Sequence, residues 1–232
     1  MIVRTSHMVE LKQQRIRRMT EIAATYLAHM GEDMDVADAA RVSFAKKAEG
    51  YSDDGNHKLI AYLAREGHIA PFGHCYLRFH VKAPLFVARQ LVKHQYMRMS
   101  EVSRRYVKSD PEFYVPHTWR AAADDVKQGS VGVARSQYFP TQYMLQAQHE
   151  ATSRYKKMLQ QGICAEQARM ILPVNVFTEW WWSGSLDAFA DMCNLRCKTD
   201  TQHETRLVAD EISAEVHKLF PVAWQALTNG ER

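Results

Sequence analysis

Hydrophobic residues recur along this chain with two periods, which together predict a fold of helices and strands. Between residues 8 and 30, apolar side chains such as Ile16, Met19 and Ile22 recur every three or four positions, as in an amphipathic helix. The same period predicts helices at residues 35–44, 53–66, 84–94, 138–161, 165–172, 186–196 and 201–219. We therefore expect a helical extension over residues 1–30 and one compact domain over residues 31–232.

Single residues mark some of the helix ends. Asp53 or Asp54 is expected to begin one helix, and Gly67 is expected to follow its last turn. Pro84 is placed in the first turn of the next helix, where its fixed backbone angle is favourable.

Shorter segments alternate between polar and apolar residues, which predicts strands. In residues 75–81, Tyr76, Arg78 and His80 would share one face, with apolar residues on the other. Residues 178–183 are aromatic and also favour a strand, whereas residues 111–119 are expected to be extended or looped. The chain is therefore expected to form an α+β domain with more helix than strand.

Composition narrows the class of protein only a little. Of 232 residues, 46% are hydrophobic and 24% are charged, as in an ordinary soluble globular protein. The 30 basic and 26 acidic residues give a net charge of +4, which fits a small anionic ligand as well as nucleic acid. No apolar stretch approaches the length that crosses a bilayer, and no secretion signal is recognisable. We expect a cytoplasmic protein with no membrane partner.

The four cysteines indicate neither a disulfide scaffold nor a thiol nucleophile. Cys75, Cys164, Cys193 and Cys197 are too few and too scattered for a disulfide framework. Cys193 and Cys197 would share one face of a helix, but no second Cys or His pair has the spacing of metal ligands. No metal site is therefore expected.

The segment from Arg89 to Tyr106 concentrates cations and hydroxyl groups. Within these eighteen residues, the basic side chains are Arg89, Lys93, His94, Arg98, Arg104 and Arg105. The hydroxyl groups are those of Ser100, Ser103 and Tyr106. Guanidinium groups beside hydroxyl groups suit a phosphate monoester, which accepts bidentate charge-assisted hydrogen bonds. A solvated basic helix face is the alternative, but Glu101 within the segment favours a specific site.

Three other segments carry weaker signals. His68 and His74 flank a Pro-Phe turn and either line a cleft or are ordinary packed or surface histidines. Glu166 and Arg169 are one helical turn apart and can pair. Arg196 follows Asn194-Leu195 and precedes Gln202 and His203, and such an arginine is usually a surface residue.

Taken in order, these segments resemble the flavin-dependent thymidylate synthases over residues 31–227. The family's hallmark is an Arg-His-Arg triplet followed, after a short gap, by Asn-Glu-x-Ser-x-Arg-Tyr. The corresponding residues here are Lys93-His94-Gln95 and Ser100-Glu101-Val102-Ser103-Arg104-Arg105-Tyr106. Further matches are Ala40-Arg41-Val42-Ser43, the His68 to His74 turn, residues 79–84 and 88–90, Ala168 to Pro173 and Asn194-Leu195-Arg196.

The resemblance implies a fold, an activity and an assembly. The fold would be a single helix-rich α+β domain around a central, mainly antiparallel sheet. The reaction would transfer a one-carbon unit from methylenetetrahydrofolate to C5 of dUMP, with FAD and NADPH as the reducing cofactors and no cysteine nucleophile. The assembly would be a homotetramer with active sites shared between subunits, and no nucleic-acid partner is expected.

The resemblance also implies roles for single residues. Arg196 would lie at the uracil ring, Ser103 would help to hold the phosphate, and His68 would lie beside the flavin and folate; these are the candidate catalytic residues. The candidate dUMP-binding residues are Gln90, Glu101, Ser103, Arg104, Arg105, Arg169 and Arg196. The candidate FAD- and folate-binding residues are Ser43, His68, Lys93, His94, Gln95, Asp191, Asp200 and Gln202.

The flavin side departs from the family pattern while the nucleotide side keeps it. Lys93 and Gln95 replace the outer arginines of the triplet, and Asp200 stands where a histidine is usual. Gly73 replaces a glutamate, and Ser185, Asp187 and Asp191 occupy the stretch where asparagine and arginine usually meet the flavin. The cofactor site is therefore expected to be remodelled, weakened or used differently.

Three hypotheses follow. The first is reductive methylation of dUMP to dTMP, with the flavin carrying the redox chemistry. The second is a folate-dependent hydroxymethyltransferase acting on C5 of a pyrimidine nucleotide, which needs no net reduction and tolerates the loss of flavin contacts. The third is a nucleotide-binding protein without catalysis, or a basic nucleic-acid-binding module, although no array of stacking aromatic residues supports the latter.

Overall fold

The computed structural model describes residues 21–123 and 129–229. Its centre is a four-stranded sheet in the order β1 (Ala23–Met30), β2 (Tyr76–Pro84), β6 (Phe177–Ser185) and β3 (Met97–Glu101). Every neighbouring pair is antiparallel. A separate two-stranded ribbon joins β4 (Arg120–Ala121) to β5 (Val131–Val133). This confirms the predicted helix-rich α+β fold around an antiparallel sheet.

The alternation in β2 and β6 gives the sheet one apolar face. Phe79 of β2 lies opposite Trp182 of β6, and Val81 lies opposite Trp180. All four side chains are buried, whereas Trp181 points the other way and is 54% exposed. Successive strand residues face opposite sides, so the predicted pattern in β2 and the aromatic run in β6 are both confirmed.

The described residues include eight α-helices, and some of them cover this apolar face. The eight helices are α1 (Asp33–Arg41), α2 (Asp53–Arg65), α3 (Leu85–Leu91), α4 (Tyr138–Gln160), α5 (Ala165–Ala168), α6 (Leu186–Arg196), α7 (His203–Leu219) and α8 (Pro221–Thr228). The helices α3, α6 and α7 pack against strands of the sheet, and α2 packs against α8. Buried residues of the sheet and of α1, α2, α3, α6, α7 and α8 form one continuous hydrophobic core.

The order of elements brings the ends of α3 and α6 together. Helix α3 follows β2 directly, and α6 follows β6 directly. Because β2 and β6 are antiparallel, the two helices leave from opposite ends of the sheet. The eleven residues of α6 then run back by about 16 Å. Its last residue, Arg196, thereby reaches the C-terminal half of α3.

Several predicted helix ends are close to the observed ones. The Ser52 hydroxyl oxygen accepts a hydrogen bond from the Gly55 amide and caps α2, one residue before the predicted start at Asp53 or Asp54. Gly67 follows the end of α2 with a φ of +71°, a conformation that glycine adopts without strain. Pro84 is the residue immediately before α3.

The predicted N-terminal helix is wrong over Ala23–Met30, which form the edge strand β1. Residues 8–20 of that prediction lie outside the described residues. The three-to-four-residue spacing misleads here because an edge strand buries only part of each face, and a bulge between Tyr26 and Ala28 shifts its register against β2. Residues 23–30 are therefore part of the sheet and not of a helical extension.

Other elements end sooner than predicted. Helix α1 stops at Arg41 and continues only as a 3-10 turn through Val42–Phe44. Helix α3 stops at Leu91, before the predicted end at residue 94, and residues 97–101 form a strand within the basic segment. Helix α5 is a single turn, and a 3-10 turn over Arg169–Ile171 precedes Pro173. In the described ranges, no helix is long and apolar enough to cross a membrane.

Candidate active site

Two clefts lie near opposite ends of α3, and most of the predicted substrate residues line one or the other. The Arg196 cleft has a volume of about 540 Å³ and is lined by Gln90, Arg120, Arg196, Lys198, Asp200 and Gln202, among others. The Arg169 cleft has a volume of about 220 Å³ and is lined by Lys82, Leu85, Glu101, Arg104, Glu112 and Arg169, among others. The two clefts share no lining residue.

In the first cleft, Arg196 is fixed by two neighbours from α3 and the turn after it. Its Nε donates a hydrogen bond to Nε2 of His94 at 3.0 Å. Its Nη2 donates to the backbone oxygen of Gln90 at 3.4 Å. A guanidinium group has five N–H donors, so three remain for a ligand in the cleft.

His94 is held in its neutral form by this arrangement. Burial of the ring and the positive charge of Arg196 lower the pKa of His94 from 6.5 to about 4. At neutral pH the ring therefore accepts the hydrogen bond from Arg196 and does not repel it. Of the predicted Lys93-His94-Gln95 segment, His94 is partly buried, and Lys93 and Gln95 are exposed.

Both the nitrogen and the oxygen of the Gln90 side-chain amide make hydrogen bonds. Its Nε2 donates to Oε1 of Gln202 at 2.5 Å, and its Oε1 accepts from the Thr205 hydroxyl at 3.1 Å. Thr205 is fully buried, so this contact is shielded from water. The structure thus brings together Gln90, His94, Arg196 and Gln202, which come from separate segments of the sequence.

The cations of the Arg169 cleft are held less tightly than Arg196. Glu101 accepts a hydrogen bond from the Thr178 hydroxyl at 2.7 Å. Arg104 donates one from Nη1 to the backbone oxygen of Ser109 at 3.1 Å, and Arg169 donates from Nε to that of Glu166 at 3.3 Å. Both arginines are therefore held only by backbone carbonyl groups in the bonds described here. The predicted Glu166–Arg169 pair is thus a contact with the backbone of Glu166.

Ser103 and Arg105 lie in the turn that follows β3, beside the Arg169 cleft. The Ser103 hydroxyl oxygen accepts a hydrogen bond from Nε of Arg105 at 3.2 Å. The guanidinium group of Arg105 also lies 5.0 Å from the centre of the Tyr106 ring, within cation–π range. Arg105 and Tyr106 are both exposed, so the cation is accessible to a ligand or to another chain.

Some predicted cofactor residues line neither cleft. Ser43 is exposed in the 3-10 turn after α1, and His68 is exposed with its ring 6.1 Å from that of Tyr62. Asp191 is exposed on α6. The roles assigned to these three residues stay predictions, whereas Asp200 and Gln202 do line the Arg196 cleft.

Two departures from the family pattern are neighbours in space. A Cβ atom on Gly73 would lie 3.9 Å from Oδ1 of Asp187. That oxygen is buried and has no hydrogen-bond partner among the described residues. The start of α6 therefore holds an acceptor that an N–H or O–H donor of a ligand would satisfy.

An ion pair that was not predicted from the sequence supports the Arg196 cleft. Arg120 binds Glu204 through both carboxylate oxygens, at 3.0 and 2.9 Å, and Tyr114 donates its hydroxyl hydrogen to Glu204 at 3.3 Å. Glu204 is only 4% exposed. Glu204 could have been found from the sequence, because it is an acidic residue at the start of a helix, two residues after Gln202. Nothing in the sequence pointed to Arg120.

The pKa of Glu204 shows that this ion pair keeps its charge. Burial alone would raise the pKa, but hydrogen bonds from Arg120 and Gln202 outweigh it and lower the pKa below its ordinary value. Burial, followed by the charge of Glu204, raises the pKa of the Tyr114 hydroxyl. Glu204 is therefore a carboxylate and Tyr114 a neutral phenol at neutral pH. Across the described ranges, no group of three or more His, Cys, Asp and Glu residues could hold a metal ion.

Comparison with known proteins gives one consistent picture. The family model described as thymidylate synthase complementing protein matches residues 25–222. The flavin-dependent thymidylate synthase of Thermus thermophilus is 36% identical over 197 residues, covering 85% of this chain and 72% of that protein. The corresponding enzyme of Kosmotoga olearia is 33% identical over 202 residues, covering 86% of this chain and 87% of that protein.

A solved structure has the same fold. The UMP/dUMP methylase PolB from Streptomyces cacaoi, bound with 5-Br dUMP, superposes with a TM-score of 0.83 at 29% identity. The superposition covers 90% of this chain and 96% of PolB.

Proposed function

Because this chain belongs to the flavin-dependent thymidylate synthase family, we propose that it methylates dUMP at C5 with a carbon unit from methylenetetrahydrofolate. The observation that carries the proposal is Arg196, which is held by His94 and Gln90 with donors left over for a ligand. The relatives named flavin-dependent thymidylate synthases and the UMP/dUMP methylase PolB support the substrate class.

Arg196 would act on the pyrimidine ring. When C5 becomes nucleophilic, negative charge spreads onto the ring oxygens, and a fixed cation stabilises that charge. The neutral ring of His94 helps because it holds Nε of Arg196 without competing for the charge. Arg196 therefore needs no rearrangement to meet the transition state.

The Arg169 cleft would hold the phosphate of dUMP. Arg104 and Arg169 each have donors beyond the contact to a backbone carbonyl, and Arg105 adds a third guanidinium group beside the Ser103 hydroxyl. Charge-assisted bonds from several guanidinium groups are the usual means of binding a phosphate monoester. Glu101, held by Thr178, would fix the position of the sugar or the arginines.

The two clefts supply the two ends of one nucleotide, but not from the same chain. Leu85 lines one cleft and Gln90 the other, about 7.5 Å apart along the axis of α3. The two clefts border the same helix but share no lining residue. We place the Arg169 cleft of one subunit against the Arg196 cleft of another, within the homotetramer that the resemblance implies.

The residues present fit a flavin beside Arg196. Gln90 and Gln202 line the cleft and would offer hydrogen-bonding groups to a planar ring, and Lys198 would offer a cation to a diphosphate. The unpartnered oxygen of Asp187 would accept from a donor of the same cofactor. FAD, when bound there, supplies the hydride of the reductive step, with NADPH as the source of electrons. The chain itself would bind and orient the ring and exclude water.

A second candidate function is hydroxymethyl transfer to the same carbon. It is favoured by Gln95, which is uncharged where the family has an arginine, and by the acid Asp200 in the Arg196 cleft, since both changes would weaken the binding of an anionic cofactor. Because hydroxymethyl transfer needs no net reduction, it tolerates such a loss. The substrate nucleotide and the folate would be the same.

A spectroscopic experiment separates the two. Protein purified with added FAD is expected to be yellow, to lose its colour on anaerobic addition of NADPH, and to convert dUMP and methylenetetrahydrofolate to dTMP. Colourless protein that still consumes both substrates and releases a hydroxymethyl product would establish the second function. Protein that binds dUMP and turns nothing over would contradict both.

A further inference from the structure

Two cysteines lie one helical turn apart at the end of α6, on either side of Arg196 in the sequence. Cys193 is buried, and its Sγ donates a weak hydrogen bond to the backbone oxygen of Ala209 at 3.6 Å. Cys197 is only partly buried, and its backbone N–H donates to the oxygen of Cys193 at 2.8 Å. Residues four apart in a helix share a face, so the two thiols are neighbours.

Both cysteines line a cavity of about 340 Å³ whose other walls are polar. The remaining lining residues are Asn194, Lys198, Ser213, Thr228 and Asn229. Lys198 also lines the Arg196 cleft, so the cavity and the cleft adjoin at this residue. A small molecule in the cavity can therefore reach Cys197 without entering the cleft.

The spacing of the two cysteines is close to that of a disulfide but does not yet match it. In a helix, Cα atoms four residues apart are separated by about 6 Å, which lies within the range found for bridged cysteines. Their Cβ atoms are about 5–6 Å apart, whereas a disulfide holds them at about 3.8 Å. Cys197 is the residue that caps α6, so it can move by the roughly 2 Å that a disulfide requires.

Such a movement would also displace Arg196, which immediately precedes Cys197. Arg196 is held by hydrogen bonds of 3.0 Å to His94 and 3.4 Å to the backbone of Gln90. A hydrogen bond does not survive a change of about 2 Å in the distance between its heavy atoms. Closing the disulfide therefore removes the fixed guanidinium group from its cleft.

We propose that Cys193 and Cys197 form a reversible redox switch, in which a small disulfide compound such as oxidised glutathione joins the two thiols and thereby displaces Arg196. This inference goes beyond the proposed function. Only the expected loss of dTMP formation rests on that function, since it takes Arg196 as the cation that acts on the pyrimidine. Cysteines that merely fill space predict instead that both thiols stay free.

The reaction is an ordinary thiol–disulfide exchange in two steps. Burial raises the pKa of the Cys193 thiol, and a negative charge on Cys197 raises it further, so Cys197 is the thiol that reacts first. Its thiolate attacks one sulfur of oxidised glutathione and releases one glutathione thiolate. Cys193 then loses its proton to that thiolate, attacks the sulfur of Cys197 and releases the second glutathione. The two cysteines are oxidised, and one glutathione disulfide is reduced to two thiols.

The direct test is to treat the full chain with oxidised glutathione, alkylate the free thiols and digest the protein with trypsin. Trypsin cuts after Arg196, so the two cysteines of the reduced protein separate into peptides 170–196 and 197–198. In the oxidised protein these peptides are expected to stay joined in the mass spectrum, and to separate again after dithiothreitol. Alkylation of both cysteines under conditions that modify the exposed Cys164 refutes the switch.

Variants test whether the disulfide is what inactivates the enzyme. The oxidised wild type is expected to lose at least about tenfold in dTMP formation and to recover with dithiothreitol. Cys197→Ser is expected to keep the reduced activity and to lose the sensitivity to oxidised glutathione, whereas Cys164→Ser, the matched control, stays sensitive. Cys193→Ala can take up glutathione at Cys197 but cannot close the disulfide, so an equal loss of activity in this variant overturns the switch. Continued inactivation of Cys197→Ser overturns it as well.

The ring of His94 gives a measurement that does not depend on turnover. In the reduced protein its pKa is about 4, because the ring is partly buried and lies against the charge of Arg196. Oxidation is expected to raise this pKa in an NMR titration, since the displaced arginine no longer opposes protonation. An unchanged pKa in protein with the joined peptides overturns the switch. Reduced protein that forms no dTMP refutes the proposed function, even if the disulfide forms and raises the pKa.

Discussion

The two clefts near the ends of α3 use similar residue types, but they hold them in different ways. In the Arg196 cleft, the arginine is held by a neutral histidine, and the side-chain amide of Gln90 is held by Gln202 and the buried Thr205. In the Arg169 cleft, the described bonds hold Arg104 and Arg169 only by backbone carbonyl groups. The Arg196 cleft is therefore preorganised for its ligand, whereas the side chains of the Arg169 cleft can adjust to theirs.

This difference fits what each end of a nucleotide requires. A ring that changes its charge distribution during the reaction is best met by groups that do not move, because reorganisation at that moment costs activation energy. A phosphate keeps its charge throughout and needs only enough cations within reach. The rigid cleft therefore suits the chemical step, and the adaptable cleft suits binding.

The largest expected effect concerns the division of the site between subunits. Arg196→Ala and Arg169→Ala are each expected to be almost inactive at low dUMP. Co-expressed with different tags, mixed oligomers should recover about a quarter of the wild-type activity, since each shared site takes one residue from each of two subunits. The measurement is dTMP formation by doubly tagged protein.

Recovery of activity in the mixed oligomers distinguishes an active site shared between subunits from one formed within a single chain. If both clefts of one chain served the same dUMP, no mixture could repair either defect, and the mixed oligomers would stay as inactive as the variants alone. The control is a mixture of wild-type protein with itself under both tags, which fixes the full activity.

The next effect separates catalysis from binding. Arg196→Ala is expected to lower kcat by about 10² to 10³, because it removes a cation that acts on the transition state. Arg169→Ala is expected to raise KM for dUMP by about 10- to 100-fold and to change kcat little, since it removes a charged hydrogen bond present in both ground and transition states. Steady-state kinetics over a range of dUMP checks both.

Folding must be intact in both variants for that comparison to hold. Arg154→Ala is a suitable control, because this exposed arginine pairs only with Glu150 on the surface of α4 among the contacts described here. It should leave both parameters unchanged. A KM effect from Arg196→Ala with kcat preserved would mean that the assignment of the ring site is wrong.

The sequence predicted these two clefts unequally. The cations and hydroxyl groups of residues 89–106 are contiguous, so they suggested a phosphate site, with a solvated basic helix face as the alternative. Gln90, His94, Arg196 and Gln202 were each found by resemblance, but their mutual contacts depend on α6 running back along the sheet. Arg120 and Thr205 were missed because their importance comes only from what they hold.

The prediction of strands from the sequence was limited in the same way. The strand β2 was predicted because polar and apolar residues alternate between its two faces, and β6 was predicted from its run of aromatic residues. The edge strands β1 and β3 were not, because neighbours cover them on one side only and their apolar residues need not alternate. Whether an apolar residue is buried there depends on the helices that pack against it, and no local pattern contains that information.

A smaller effect comes from salt. The exposed cations of the Arg169 cleft are screened by ions, whereas the partly buried contacts of the Arg196 cleft are not. Raising the ionic strength from about 0.05 to 0.5 M is expected to raise KM for dUMP several-fold with kcat nearly constant. In Arg169→Ala this dependence should become weaker, and an equal salt effect in the variant would remove that arginine from the phosphate site.

The smallest expected effect lies in the stability of the Arg196 cleft against acid. The pKa of His94 is lowered from 6.5 to about 4, so the unfolded chain binds a proton at this residue in a range where the folded protein does not. The stabilisation is complete above pH 6.5 and is lost as the pH falls towards 4. Because the ring is only partly buried, we expect a loss of about 1 kcal/mol in the free energy of unfolding. Denaturant titrations of the wild type and His94→Asn at pH 7 and pH 4.5 measure it. The variant should show a smaller loss than the wild type, because an asparagine does not titrate, and equal losses would mean that the Arg196–His94 contact does not hold the ring neutral.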